Sequence, residues 1–401
     1  MSATSLARSD EFLRIANQFK LGALVTEGSH PVTAALSDTA AQDTAAALRL
    51  LFEVDEDVAR TYRAFAASGR AAVSAAEVAG RLRRGGRIFC TGCGSTGRLS
   101  IQLVSIWRDF WQRQRARGLA CSPPPEDWEH RAFSVMAGGD FALIKAVEGF
   151  EDFTAFGKKQ IGDLGVAPDD AVFAITEGGE TSFVIGTAWK GVETGAKVYF
   201  VYNNPDDILC AHVERSREVI QDPRIEKINL TTGPMAITGS TRMQATTIQL
   251  CVMLTVMEMT LRDLLTELEP GGPCALAPAG VPAQFLAQFE VMLGRLKEPA
   301  LLDRLAALVE LEEATYRAGH KHNYFADRYG IDILTDTTER SPTYCTPAFR
   351  KFDDATASES WAYLFVPDAD TPAAWERLIR RRPACVEWSE AEIRALVSED
   401  K

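Results

Sequence analysis

The stretch GGRIFCTGCGSTGRLSIQLVS, residues 85–105, restricts the fold of this chain more than any other. It reads as a buried strand over 88–91, a glycine-rich turn and the opening of a helix. Gly92, Gly94 and Gly97 let the backbone approach a ligand closely, and Ser95 and Thr96 supply hydroxyls. The following helix points its unpaired N–H groups and positive dipole end into the turn. Such a turn suits a phosphate. Glycine clusters after strands also serve only to turn the chain, so this loop by itself leaves both readings open.

The same alternation continues downstream. A helix is expected over 99–114, a strand over 133–137, then GGD and a helix through AVEGFED. Further strands are expected over 171–176, 197–202 and 227–230, with helices between them. Short apolar strands separated by helices predict a parallel sheet with helices on both faces. Residues 39–84, rich in Ala, Leu, Arg and Glu, predict a helical lead-in, and the apolar positions over 12–19 predict a short amphipathic helix. A long apolar helix over 248–261 ends before the linker EPGGPCALAPAGVPA, which marks a domain boundary. Beyond it come a helical stretch over 282–317, a strand-like run at 330–334 and a strand in LFVPD. The expected division is a helical extension (1–70), a phosphate-binding α/β domain (71–265) and a smaller carboxy-terminal α/β region (266–401).

Ligands of such sheets gather where the strands end. Three loops therefore converge: GCGSTG (92–97), TEGGETS (176–182) and TGSTRM (238–243). The candidate ligand-binding residues are Gly94, Ser95, Thr96, Thr176, Gly178, Gly179, Thr181, Ser240 and Thr241. Glu151, Glu177 and Glu180 are the candidate catalytic acids, since desolvation beside a bound ligand raises a carboxylate pKa toward neutrality. Each also has a simpler reading as a helix cap or a surface charge.

A net charge of −12 argues against nonspecific nucleic-acid binding, while backbone amides still suit a phosphorylated metabolite. No apolar run reaches membrane-spanning length, and the start MSATSLARSDEF is too polar for a secretory signal, so a cytoplasmic protein is expected. The eight cysteines are scattered, and the lone Cys90/Cys93 pair reads as small buried thiols. His320 and His322 have no third ligand at sensible spacing, so neither a metal nor a cofactor is expected.

With the loops in place, the chain resembles the sugar isomerase (SIS) domain superfamily, in the branch holding N-acetylmuramic acid 6-phosphate etherase and the glucokinase regulatory protein. The resemblance spans about residues 24–262 and is carried by LVTEGSHPVT, GGRIFCTGCGSTGRL, AGGDFALIKAVEGFED and GPMAITGSTRM, in that order. TEGGETS is also similar to the phosphate loop Ser-x-Ser-Gly-Glu-Thr of SIS isomerases, with Thr176 matching its first Ser and Thr181 its Thr. The resemblance implies a three-layer α/β/α sandwich, a homodimer, and a sugar phosphate held between loops. It also implies two departures. The etherase's proton-abstracting glutamate falls on Ile106, while a second one is retained as Glu151. Where the etherase has Ser-Gly-Arg, this chain has Gly178, Gly179 and Glu180.

Three functions follow as expectations. The first is a sensor or regulator that binds a hexose or amino-sugar 6-phosphate without converting it. The second is a phosphosugar isomerase or an etherase-like lyase that uses Glu151, Glu177 or Glu180 instead. The third is a structural interaction module that uses the SIS body as a dimer platform. Separately, the segment after about residue 318 resembles a reduced second SIS half.

Overall fold

A computed structural model of the chain describes residues 9–10, 12–14, 21–145, 147, 149–269, 277–327, 330–335, 350 and 354–397. Four helices lead in: α1 (Leu36–Gln42), α2 (Thr44–Val54), α3 (Glu56–Ala67) and α4 (Arg70–Arg83). The central unit runs β1 (Ile88–Gly92), α5 (Gly94–Ala116), α6 (Pro125–Glu129), β2 (Ala132–Met136), α7 (Thr154–Asp163), β3 (Ala171–Ile175) and α8 (Ser182–Thr194). It continues through β4 (Lys197–Tyr202), α9 (Asp206–His212), α10 (Glu214–Gln221), β5 (Ile225–Asn229) and α11 (Gln244–Leu268). The remainder is α12 (Val281–Leu296), α13 (Pro299–Arg317), β6 (His322–Phe325), β7 (Ala362–Phe365), α14 (Thr371–Ile379) and α15 (Glu390–Leu396).

The five central strands form one parallel sheet in the order β2-β1-β3-β4-β5. Alternate residues feed opposite faces. Ile88, Cys90, Phe173 and Tyr199 pack with α4, α5 and α11, whereas Phe89, Val172, Phe200 and Tyr202 pack with α7, α8 and α9. Period-two burial on both sides makes three layers, the α/β/α sandwich with a helical lead-in that the sequence predicts. The chain winds outward from β1 in both directions, so the order reverses between β1 and β3, and the crevice beyond their carboxyl ends is where an open sheet of this kind receives a ligand.

Two expectations are corrected. The α-helix expected through AVEGFED does not form over its described residues: Gly149 sits at φ 83° in the left-handed region, a short 3-10 turn covers Phe150–Asp152, and the helix begins only at Thr154. Residues 330–335 are helical instead of extended, which lets Ile331 and Leu334, three apart, face Ile101 and Met136 together. The stretch over 282–317 is two helices broken between Leu296 and Pro299. β6 and β7 pair in parallel as a separate two-stranded sheet. Residues 15–19 and residues 270–276 of the linker lie outside the described residues.

Candidate functional site

The start of α5 is built by reciprocal bonding. The Thr96 hydroxyl accepts from the Cys93 N–H at 3.0 Å while the Cys93 thiol accepts from the Thr96 N–H, a capping box that leaves Gly94 and Ser95 at the open end of the helix; the same hydroxyl donates to the Cys93 carbonyl at 2.8 Å. Gly92 is obligatory, because a Cβ there would lie 2.4 Å from the Thr96 carbonyl carbon. After β3 the backbone runs through Glu177 to Thr181, and before α11 it runs through Gly239 to Arg242. These segments enclose a cavity of about 220 Å³ lined by Cys93, Gly94, Ser95, Glu151, Glu177, Thr181, Gly239, Ser240, Thr241 and Arg242. It lies at the reversal point of the sheet.

Two carboxylates line it. Glu177 is 8% exposed and accepts from the Thr246 hydroxyl at 3.1 Å. Burial pushes its pKa up to about 7; Thr246 and Thr96 pull it down and the charge of Glu151 adds to the rise. Glu151 accepts from the Cys93 thiol at 2.7 Å. Burial, and then the Glu151 charge, hold Cys93 well above the usual thiol range, while the buried Arg98 opposes them. The Ser240 hydroxyl is buried and has no hydrogen-bond partner among the described residues. A buried hydroxyl facing a polar cavity in that state is a position for a ligand acceptor or donor.

The stretch after Leu24 braces two of the loops from outside. Thr26 exchanges bonds with Asn204, whose amide also donates to the Gly178 carbonyl at 2.9 Å, and the Ser29 and Thr238 hydroxyls meet at 2.9 Å.

With this geometry established, comparison with known proteins gives the family. Residues 70–189 match the glucokinase regulatory protein N-terminal SIS domain. N-acetylmuramic acid 6-phosphate etherase of Deinococcus radiodurans is 35% identical over 225 residues, 56% of this chain and 64% of that protein. An etherase of Bacillus licheniformis is 29% identical over 227 residues, 57% of this chain and 65% of that protein. The etherase of Yersinia pestis is 31% identical over 233 residues, 58% of this chain and 69% of that protein. The chain belongs to this etherase family. It spans a little under two thirds of the first two relatives' length.

Within this SIS-type etherase relative, the expected site residues divide. Gly94, Ser95, Glu151, Glu177, Thr181, Ser240 and Thr241 come together around the cavity. Thr96 and Thr176 do not line it. Thr96 is consumed by the helix cap, and the Thr176 hydroxyl, fully buried, pairs with that of Thr181 at 3.0 Å. Gly178 and Gly179 turn away, with Gly179 backed by Leu209 and its carbonyl held by Ser216 at 2.7 Å. Glu180 is held by Arg215 in an ion pair at 2.5 Å and is outside the lining. Its charge reaches Glu27, whose pKa is raised by burial first and by Glu180 second.

Ile106 is also outside the cavity. It sits twelve residues after Gly94, about 18 Å along the helix axis, and is 40% exposed. Cys93 and Arg242 line the site although neither stands out in the sequence. Arg242 follows directly on Ser240 and Thr241, which was the available signal. Cys93 gave none, since a thiol at a strand end looks like core, as fully buried Cys90 is. No group of three or more His, Cys, Asp or Glu among the described residues could hold a metal, and no described helix is long and apolar enough to cross a membrane.

Proposed function

We propose that the protein binds a phosphorylated sugar of the hexose or amino-sugar 6-phosphate type in the cavity at the ends of β1 and β3. The carrying observation is the Ser240 hydroxyl, buried without a partner among the described residues, at the point where the α5 start, Thr181 and Arg242 also converge. The phosphate sits on the amides of Gly94 and Ser95, the hydroxyls of Thr181, Ser240 and Thr241, and the Arg242 guanidinium, a mix of helix-end and charge-assisted donors that suits an oxyanion. A cavity of about 220 Å³ is of a size for a single sugar unit. The protein acts as a sensor or regulator and a cytoplasmic homodimer, with Ile106 at the position where the etherase has its proton-abstracting carboxylate.

A second reading, an isomerase or lyase, is favoured by one feature. A carboxylate with a pKa of about 7 inside the cavity is matched to proton transfer at neutral pH, and Glu177 meets that condition. Glucose 6-phosphate, glucosamine 6-phosphate and N-acetylmuramic acid 6-phosphate should raise the melting temperature. Incubation followed by NMR in D2O then separates the readings. An unchanged sugar supports binding alone, whereas deuterium at C1 or C2 supports chemistry through Glu177. No stabilisation by any phosphosugar refutes both.

A further inference from the structure

The residues after α14 run back across the sheet edge to the loop that carries Glu151. Arg381 forms a two-pronged ion pair with the buried Asp140, one arm at 2.9 Å, and bonds the Ser134 hydroxyl at 3.0 Å. The Ala384 N–H donates to the Asp140 carboxylate at 2.6 Å, the Asp140 N–H returns to the Ala384 carbonyl at 3.0 Å, and Gly139 pairs with Cys385 in an antiparallel bridge. A Cβ on Gly139 would meet the Ala384 carbonyl oxygen and the Val386 nitrogen at 2.9 Å, so the two backbones touch directly. Three residues past that bridge, the Trp388 ring stacks on Phe150, with centroids 5.6 Å apart and planes 21° apart. Its edge meets Phe156 and its indole N–H donates to Asp163 at 2.9 Å. Lys159 lies over the same ring and is tied by Glu392 of α15 at 3.0 Å.

Phe150 is thus gripped from both sides, by Trp388 outside and by Phe156 and Phe183 inside. The next residue is Glu151, whose carboxylate is the acceptor for Cys93 in the cavity. The backbone between them has little intrinsic stiffness, because Gly149 precedes and only a single 3-10 turn follows. We propose that residues 381–388 are a strap that fixes the Glu151 carboxylate against Cys93, with Trp388 as its positioning residue. The carboxy-terminal region thereby sets the shape and charge of the cavity without entering it.

Cys93 supplies a readout that needs no ligand, so the strap stands or falls separately from the phosphosugar reading. The charged groups around its thiol are Glu151, Glu177 and Arg98. Releasing Glu151 removes the second largest influence holding the thiol protonated. Carbamidomethylation of Cys93 in the whole chain, followed by site-resolved mass spectrometry, should accelerate severalfold in Trp388→Ala, because the thiolate is the reacting form. Cys90, fully buried, is the unreactive reference, and Cys385, exposed on the strap, reports reagent quality. Trp388→Phe keeps the ring on Phe150 and should stay within about twofold of wild type. In a Glu151→Gln background, Trp388→Ala should add nothing, because residues acting through one group are not additive. A wild-type Cys93 rate in Trp388→Ala overturns the proposal, and so do rate effects of Trp388→Ala and Glu151→Gln that multiply, which mark general loosening. Should Trp388→Ala fail to fold, Trp388→Leu keeps apolar bulk without the stack, and the same two criteria apply.

Discussion

Glu177→Gln converts the electrostatics of the cavity into a stability measurement. The native side chain is 8% exposed and its pKa rises from 4.5 to about 7, with burial as the leading cause. The folded value lies above the unfolded one, so the folded protein binds the extra proton and stability falls as pH climbs from about 4.5 to about 7, then levels off. At about 1.4 kcal/mol per unit, the ionised carboxylate costs on the order of 3 kcal/mol above neutrality and nothing below pH 4.5. Glutamine has the same shape and no charge. Its carbonyl still accepts from the Thr246 hydroxyl, so that bond survives. The variant should come close to wild type near pH 5 and exceed it by about 3 kcal/mol near pH 8, which for a chain of 401 residues raises the melting temperature by roughly 3–4 °C. Differential scanning fluorimetry across that pH range, without ligand, reads the difference directly. A stability difference that does not change with pH refutes the raised pKa and, with it, the assignment of Glu177 as a proton acceptor at neutral pH.

Ser95→Trp places an indole at the cavity mouth and should abolish the thermal response to glucose 6-phosphate while leaving the unliganded melting point within a few degrees; a retained response means that the phosphate site is elsewhere. Gly157→Ala should destabilise by about 3 kcal/mol in urea titration, because its Cβ would fall 1.9 Å from the Phe183 carbonyl oxygen, where α7 and α8 meet backbone to backbone and no side chain can yield. Arg381→Ala leaves the Asp140 carboxylate, 4% exposed, without its cation and should cost about 3–5 kcal/mol. Adding Asp140→Asn should restore part of that, and a double variant no better than the single one contradicts the pairing.

Glycine carried most of what was legible in the sequence. The β1 turn could be read because close backbone approaches such as that at Gly92 restrict the residue type, and the strands could be read because burial on both faces needs uninterrupted apolar runs. What the sequence did not disclose depends on partners far along the chain. Glu180 looks like a loop acid until Arg215, on α10, captures it, and Thr176 looks like a phosphate hydroxyl until the turn brings Thr181 within 3.0 Å. Cys93, at the cap of α5, faces Glu151, 58 residues away, whereas Cys90 lies buried within β1. The helix expected in AVEGFED failed for a local reason, the left-handed Gly149, and that failure has a consequence. Glu151 sits on a segment unable to hold itself in place, so its position must be imposed from elsewhere. The contacts that impose it come from Trp388, over two hundred residues later, in a region that pattern reading treated as peripheral. The acid most readily picked out by family likeness is therefore the one whose geometry depends most on the part of the chain that family likeness does not reach.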